Sequence, residues 1–258
     1  MSWPSPIALQ LGPVIIYWYG IAYLASFFLC YYLAYYSNER QGILSDKNLS
    51  DYVNYAVLGV VLGGRFGYVI FYHPDWVVHS PIRLLMLWQG GMSFHGGLIG
   101  YSIATLIFCR KYNINVLRLM DHFSRWIPIG LFLGRLANFI NQELPGRVTD
   151  VSWGIIYPRI DGLVRHPSQL YEAFFEGVVL FIIINLWDRY NHYQAGSRAV
   201  MFISLYAVIR FFLEYFREPD FHLGYLAYGF TMGQWLSLLM IMFSIVFTYR
   251  VKFYDTRD

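Results

Sequence analysis

Residues 199–217 read AVMFISLYAVIRFFLEYFR, an apolar stretch of membrane-spanning length that carries Arg210 and, one helical turn later, Glu214. A helix of about 20 apolar residues crosses the hydrocarbon core of a bilayer. Six further stretches of this kind lie near 14–36, 51–72, 94–109, 122–140, 170–187 and 231–250. Of the 258 residues, 57% are hydrophobic and only 14% are charged, unlike soluble domains. The pattern predicts an all-α polytopic membrane protein with about seven transmembrane helices.

The lysines and arginines between these stretches predict the orientation of the chain, because cytoplasmic loops carry the excess. Ten of them share one side: Arg40, Lys47, Arg110, Lys111, Arg118, Arg189, Arg198, Arg250, Lys252 and Arg257. Only five fall on the other side: Arg83, Arg147, Arg159, Arg165 and Arg217. We therefore expect the N-terminus outside and the C-terminus inside. Residues 1–13 contain no Lys or Arg, so we expect the first helix to be a retained anchor rather than a cleaved signal peptide.

The chain has no internal repeat or long linker, so residues 1–258 are predicted to form a single transmembrane domain. Turn-forming pairs such as Pro145-Gly146 mark residues 141–169 as a small outer-face insertion within it.

The net charge is +3, and no basic run is interleaved with aromatic residues as nucleic-acid binding would need. Cys30 and Cys109 fall in predicted helices at no metal-binding or disulfide spacing. We expect no metal, no cofactor and no nucleic acid.

Ionisable residues inside apolar stretches are candidates for function, because an unpaired charge there costs from about 3 to more than 10 kcal/mol. Arg65, Arg135 and Arg210 lie at such positions. They could simply pair with acidic neighbours, for example Arg210 with Glu214 one turn on. Three such arginines with few counter-charges beyond Glu214 and Glu176 instead favour an anionic ligand. A guanidinium group matches phosphate oxygens in two-point contacts, so a phospholipid headgroup is the expected anion.

Polar residues recur at helical spacing in two of the stretches. One face carries Arg135, Asn138 and Asn141 or Gln142, and another carries Tyr206, Arg210, Glu214 and Arg217.

Glycines flank His95 on both sides, which suits close approach of a backbone or a substrate. A single histidine is more often structural than catalytic, and its functional alternatives here are proton transfer and hydrogen bonding.

Glycines at four-residue spacing, Gly59, Gly63 and Gly67 in one stretch and Gly96 and Gly100 in the next, predict close helix packing.

Six ordered motifs resemble one family over nearly the whole chain, the prolipoprotein diacylglyceryl transferases. They are YWYG at 17–20, GGRFGY at 63–68, GGMSFHGGL at 90–98, GRLANFINQE at 134–143, RHPSQLYE at 165–172 and RFFLEYFR at 210–217. The resemblance implies transfer of the diacylglyceryl group of phosphatidylglycerol to the lipobox cysteine of a preprolipoprotein. A thioether forms and glycerol 1-phosphate is released, in the first step of bacterial lipoprotein maturation. It also implies a multi-pass protein of the bacterial inner membrane with its active site toward the outer face.

Carried over position by position, the family's essential residues match His95, Arg135 and Arg210. Supporting, substrate-binding positions match Tyr19, Asn138, Glu143, Gly146, Tyr206 and Glu214. Arg65 and Arg217 are expected nearby, in supporting contacts or along the access path of the lipid. The cysteine nucleophile belongs to the substrate, so the enzyme needs none of its own.

Other classes of protein share some of these features. Membrane transporters also place charges near the bilayer midplane, although the common designs repeat their motifs in two halves and this chain does not. A non-catalytic protein could bind phosphatidylglycerol without releasing glycerol phosphate. A different phospholipid transferase would need paired acidic metal ligands, which the sequence does not offer.

Overall fold

Helices dominate the computed structural model, which describes residues 3–12, 14–41, 44–86, 91–190, 194–219 and 224–255. The long helices are α1 (Trp18–Gln41), α2 (Asp46–Tyr72), α4 (Phe94–Tyr112), α6 (Ile127–Asn141), α8 (Leu180–Tyr190), α9 (Ser197–Leu213) and α10 (Met232–Asp255). The short ones are α3 (Asp75–His79), α5 (Val116–Ser124) and α7 (Ser168–Glu172). A π-helical segment, Ala173–Val179, joins α7 to α8 without a break. Two antiparallel pairs complete the fold: β1 (Ile7–Leu11) with β2 (Val14–Tyr17), and β3 (Ile155–Ile156) with β4 (Val164–Arg165).

Each apolar stretch predicted from the sequence falls largely on helix. Within the described part of the chain, two helical segments are long and apolar enough to cross a membrane, Asp46–Ile70 and Ser168–Trp187. The apolar helices Ile127–Asn141 and Met232–Thr248 are shorter. The mainly helical fold is therefore observed, whereas seven membrane crossings and their orientation stay predictions.

The start of the first predicted helix is wrong, because residues 14–17 form strand β2 and α1 begins only at Trp18. The segment is rich in β-branched residues, which favour extended backbone. It pairs with β1, and the turn between the strands contains Gly12 at φ +58°, a left-handed conformation that glycine adopts without strain. The apolar run alone could not distinguish a strand from the beginning of a helix.

The chain divides into two compact units, one formed by Met1–Ala34 with Met120–Asp258 and the other by Tyr35–Leu119. In the second unit, α2 and α4 pack through the glycines identified from the sequence. A Cβ atom at Gly59 would lie 2.6 Å from the carbonyl oxygen of Gly100, and one at Gly67 would lie 2.7 Å from the Cα of Gly96. The predicted close packing of these two helices is confirmed.

In the first unit, α9 packs against α10, and α6 packs against the π-helical segment. A Cβ atom at Gly177 would lie 2.6 Å from the Cβ of Phe132, so this glycine lets the π-helical segment approach α6 closely. Asp121 of α5 anchors the beginning of α9, because its carboxylate accepts from the backbone N–H groups of Gly196 at 2.6 Å and Ala199 at 2.8 Å. Free N–H groups at a helix start need such partners. These contacts fix the helices that carry the polar residues.

Candidate active site

Arg135 of α6 and Arg210 of α9 converge on the same two carboxylates. Arg135 Nη1 lies 3.0 Å from Glu172 Oε2, and its Nε and Nη2 atoms lie 3.1 and 3.0 Å from Glu176 Oε2. Arg210 Nη1 lies 2.6 Å from Glu172 Oε1 and 3.8 Å from Glu176 Oε1. We call Glu172 and Glu176 the acidic pair; their side chains are 1% and 0% exposed. The two predicted catalytic arginines therefore belong to one buried ion-pair network.

Glu214 extends this network toward α10. Arg210 Nη2 lies 2.5 Å from Glu214 Oε2, one helical turn along α9. The Thr231 hydroxyl donates to Glu214 Oε1 at 3.0 Å. A Cβ atom at Gly233 would lie 2.7 Å from the Glu214 carboxylate, so the absence of a side chain there makes room for it. The predicted pairing of Arg210 with Glu214 is present, but it is only one of the contacts of Arg210.

Arg217 and Tyr206 border the same network. Arg217 Nη1 lies 3.5 Å from Glu172 Oε1. Tyr206 precedes Arg210 by one turn on α9, and its hydroxyl interacts electrostatically with Glu176. We call Arg135, Arg210 and Arg217 the arginine cluster. Its members keep 16%, 12% and 11% of their side chains exposed, whereas the acidic pair is fully buried.

The acidic pair lies on either side of the change of helix type after α7. Glu172 ends α7, and Glu176 lies inside the π-helical segment that follows. Short π-helical segments are rare and often occur at functional sites. The backbone here turns both carboxylates toward α6 and α9, where the arginines lie.

A second polar group surrounds the end of α6. Gln142 takes a left-handed conformation, φ +59°, and the Glu143 N–H donates to the Asn138 carbonyl at 2.9 Å, which ends the helix. The turn brings the Glu143 carboxylate back to the Asn138 side chain, whose Nδ2 donates to Glu143 Oε2 at 3.0 Å. The same Nδ2 donates to the Tyr19 hydroxyl at 3.4 Å. Asn138 lies on α6 one turn after Arg135, so three predicted substrate-binding residues lie beside the arginine cluster along the helix.

Gly146 holds the insertion against the end of α9. It forms a β-bridge with Arg217, and a Cβ atom at its position would lie 2.8 Å from the Phe216 carbonyl oxygen. Arg147 donates from Nε to the Arg217 carbonyl at 2.9 Å and from Nη2 to the Glu214 carbonyl at 3.2 Å. These bonds join the insertion to carbonyl groups of the turn that follows α9. The structure gives Gly146 a packing role, and a role in binding substrate stays a prediction.

Arg165 stabilises the insertion itself. It donates to the Gly146 carbonyl at 2.9 Å and lies 3.0 Å from Glu218 Oε2. It also pairs with Asp161 at 2.5 Å. The hydrogen bond from Arg165 lowers the pKa of the Asp161 carboxyl group, and a hydrogen bond from the Leu163 N–H lowers it further.

Arg65 has a different environment from the other two deep arginines. It is 2% exposed and donates to the carbonyl oxygens of Leu84 at 3.2 Å, Gly91 at 3.2 Å and Met86 at 3.0 Å. It also donates to the Arg83 carbonyl at 2.5 Å. Carbonyl dipoles stabilise a buried guanidinium, and these contacts tie Arg65 to residues 83–86 and to Gly91.

His95 lies in the first turn of α4, but its side chain falls outside the part of the chain that the structure describes. The start of the helix is well defined, because the Ser93 hydroxyl accepts from the Gly96 N–H at 3.2 Å and the Ser93 N–H donates to the Gly64 carbonyl at 2.8 Å. His95 and Arg65 belong to the second unit, whereas the arginine cluster belongs to the first. The catalytic role of His95 stays a prediction.

Sequence reasoning missed Glu172, which contacts every member of the arginine cluster. The expectation that Arg135 and Arg210 have few counter-charges beyond Glu214 and Glu176 is therefore wrong, because Glu172 pairs with both. The available signal was the spacing of Glu172 and Glu176, two carboxylates four residues apart at the start of an apolar stretch. Such residues share a helix face, and neither would face lipid.

Buried guanidinium and carboxylate groups inside apolar helices define a class of protein: a helical membrane protein with a site suited to an anionic headgroup. The family model described as prolipoprotein diacylglyceryl transferase matches residues 6–250. The chain belongs to this family, so the resemblance of its motifs is confirmed, and it is a bacterial membrane enzyme of the transferase class.

Curated relatives are similar over almost their full lengths, and three of them share the name phosphatidylglycerol–prolipoprotein diacylglyceryl transferase. The protein of Wolbachia pipientis subsp. Culex pipiens (strain wPip) is 46% identical over 245 residues, 94% of this chain and 93% of the relative. The protein of Bordetella avium (strain 197N) is 47% identical, with 94% and 92% covered. The protein of Nitrosomonas europaea (strain ATCC 19718) is 46% identical, with 97% and 91% covered. A transporter or a non-catalytic lipid-binding protein is not favoured.

Proposed function

We propose that this enzyme transfers the diacylglyceryl group of phosphatidylglycerol to the thiol of a lipobox cysteine in a preprolipoprotein. The family match and the names of the relatives support this activity. The single structural observation that carries it is the convergence of Arg135 and Arg210, from two helices, on one buried ion-pair network. Such a site fits the phosphate of an anionic lipid headgroup.

The chemistry requires stabilisation of a phosphate leaving group. The cysteine sulfur attacks the glyceryl carbon next to the phosphate, a carbon–sulfur bond forms, and the carbon–oxygen bond to phosphate breaks. Glycerol 1-phosphate leaves with the bonding electrons, and the thiol proton passes to a base or to the phosphate. Negative charge therefore grows on phosphate oxygens, where fixed guanidinium groups stabilise the transition state. Arg135 and Arg210 are the residues proposed for this role.

His95 is proposed to assist deprotonation of the substrate thiol, whose ordinary pKa near 8.5 leaves it mostly protonated at neutral pH. The alternative is that His95 only orients the lipid. A His95→Gln variant separates the two roles: a lost base shifts the pH dependence of turnover, whereas full turnover at every pH would exclude that role.

The remaining predicted residues are proposed to support the lipid site. Tyr19, Asn138 and Glu143 form one hydrogen-bonded group beside Arg135, suited to the hydroxyl groups of a glycerol headgroup. Tyr206, Glu214 and Arg217 border the arginine cluster. Gly146 supports the insertion, and Arg65 supports the segment before α4.

We also propose the location of the site from the distribution of charge. The bias of basic residues favours the N-terminus outside and the C-terminus inside the bacterial inner membrane. In this orientation the ends of α6 and α9 near Glu143 and Arg217, together with the 141–169 insertion, lie toward the outer face. The signal peptide of a preprolipoprotein would reach the site from that face.

The test of this function is release of glycerol phosphate by the purified protein in liposomes that contain phosphatidylglycerol. Release should need a lipobox peptide and should disappear when its cysteine is replaced by serine. Release without peptide would indicate hydrolysis of phosphatidylglycerol instead of transfer. No release by folded protein with a competent peptide would contradict the proposal.

A further inference from the structure

The acidic pair is the strongest feature of the site that the proposed reaction does not use. Glu172 and Glu176 come from an otherwise apolar helix, yet both carboxylates are fully buried. A buried carboxylate costs several kcal/mol unless it is well paired. Their presence beside the guanidinium groups that would bind phosphate therefore calls for a role.

The acidic pair occupies the guanidinium atoms that a lipid phosphate would need. Arg135 directs all three of its nitrogens at carboxylate oxygens, at 3.0 to 3.1 Å. Arg210 directs one terminal nitrogen at Glu172 and the other at Glu214. A phosphate can make two-point contacts with these forks only if at least one carboxylate gives up its place.

If phosphate takes the place of a carboxylate on these forks, the displaced carboxylate stays buried and loses its arginine partner. The groups that face the acidic pair are Arg135 from α6, and Tyr206, Arg210 and Arg217 from α9 and the residues after it, with Glu214 on the other terminal nitrogen of Arg210. Arg147 lies nearby, because its guanidinium donates to the Glu214 and Arg217 carbonyls. A buried carboxylate without a partner is unfavourable, and uptake of one proton removes its charge.

We propose that the acidic pair substitutes for the lipid phosphate in the resting enzyme, and that one of its carboxylates takes up a proton from solvent when phosphate replaces it. This inference rests on the proposed function and deepens it. In this step ion pairs exchange and one carboxylate oxygen forms an O–H bond with a proton from solvent, while no bond to carbon, sulfur or phosphorus changes. When glycerol phosphate leaves, the proton is released and the carboxylates pair with the arginines again, which favours release of a product more highly charged than the substrate.

Calorimetry tests the proton uptake without turnover. A short-chain, water-soluble phosphatidylglycerol is titrated into detergent-solubilised protein, in two buffers of different ionisation enthalpy at the same pH. Wild-type protein should take up about one proton for each lipid bound, and Glu176→Gln should take up fewer. Equal binding heats in both buffers for the wild type would overturn the proposal.

Product inhibition tests the competition. Glu172→Gln removes a competing charge, so glycerol 1-phosphate should bind about tenfold more tightly, which corresponds to about 1.4 kcal/mol. Glu218→Gln is the matched control, because Glu218 pairs with Arg165 and its side chain is 47% exposed. This variant should bind glycerol 1-phosphate as tightly as the wild type. Weaker product binding in Glu172→Gln, with wild-type thermal stability, would show that Glu172 only positions the arginines and would overturn the proposal.

The two proposals fail in different ways. Transfer to the peptide without proton uptake contradicts the exchange of a carboxylate for phosphate and leaves the transferase function intact. Lipid binding with proton uptake but without transfer supports this exchange and contradicts the proposed function.

Discussion

At the scale of single residues, the geometry of the arginine cluster matters as much as its charge. Arg135 contacts both members of the acidic pair, and Arg210 contacts Glu172 and Glu214 with different nitrogens. A lysine ammonium keeps the charge but cannot form two parallel bonds with phosphate or carboxylate. Substitution by lysine can therefore separate the two properties of these arginines, charge and planar two-point binding.

Arg135→Lys and Arg210→Lys should each lower kcat/KM for peptide modification by about 100-fold or more, because loss of one preorganised donor to a developing negative charge costs about 100- to 1,000-fold. The measurement is the initial rate of glycerol phosphate release in liposomes. Arg159→Lys is the matched control, because Arg159 is exposed on the insertion and should keep wild-type activity. Wild-type rates in both site variants would show that charge alone is sufficient.

At the scale of elements, the paired glycines set the distance between α2 and α4, and so the position of the turn that carries His95. A Cβ atom at Gly63 would lie 2.8 Å from the Cα of Gly100, in a contact made of backbone that cannot rotate away. A Cβ atom at Gly20 of α1 would have no neighbour within 4 Å. The same substitution at these two positions therefore has opposite expected effects.

Gly63→Ala should lower the melting temperature in detergent, by an amount equivalent to about 1–3 kcal/mol of overpacking. Gly20→Ala should leave it unchanged or raise it slightly, because alanine favours helix over glycine. Thermal unfolding followed by intrinsic fluorescence makes the comparison. Equal melting temperatures would contradict the close packing of α2 and α4.

The stability of the insertion should depend on pH through the ionisation of Asp161. Arg165 lowers the pKa of the Asp161 carboxyl group in the folded state, so the charged carboxylate stabilises the insertion above about pH 4, the ordinary pKa of aspartate. This contribution is lost as the pH falls through the lowered pKa. Asp161→Asn removes it at every pH.

Hydrogen exchange of peptides that cover 150–166 measures this effect. At pH 7 the Asp161→Asn insertion should exchange about twofold to threefold faster than wild type, since exposed ion pairs contribute modestly. The difference should shrink below about pH 4. Identical exchange of the two proteins at pH 7 would contradict a stabilising role for the pair.

At the scale of the whole molecule, periodicity and charge in the sequence predict the helical elements well and the ion pairs less well. Spacing shows which helix face Arg135, Arg210 and Glu214 each occupy, and the family resemblance predicts that the three share one site. The spacing of Glu172 and Glu176 indicates a shared helix face, but a sequence pattern does not show which helices that face contacts. Residues 14–17 were misassigned because an apolar β-branched run fits either a strand or a helix. The partners of Arg65 are backbone carbonyls, which no side-chain pattern reveals.

The most direct test of the central claim is the mass of a lipobox peptide after incubation with the wild-type protein in phosphatidylglycerol liposomes. We predict a gain equal to one diacylglyceryl group, with a glyceryl thioether left on the cysteine after mild alkaline removal of the acyl chains. An unchanged peptide, or a gain that hydroxylamine removes as a thioester, would contradict it.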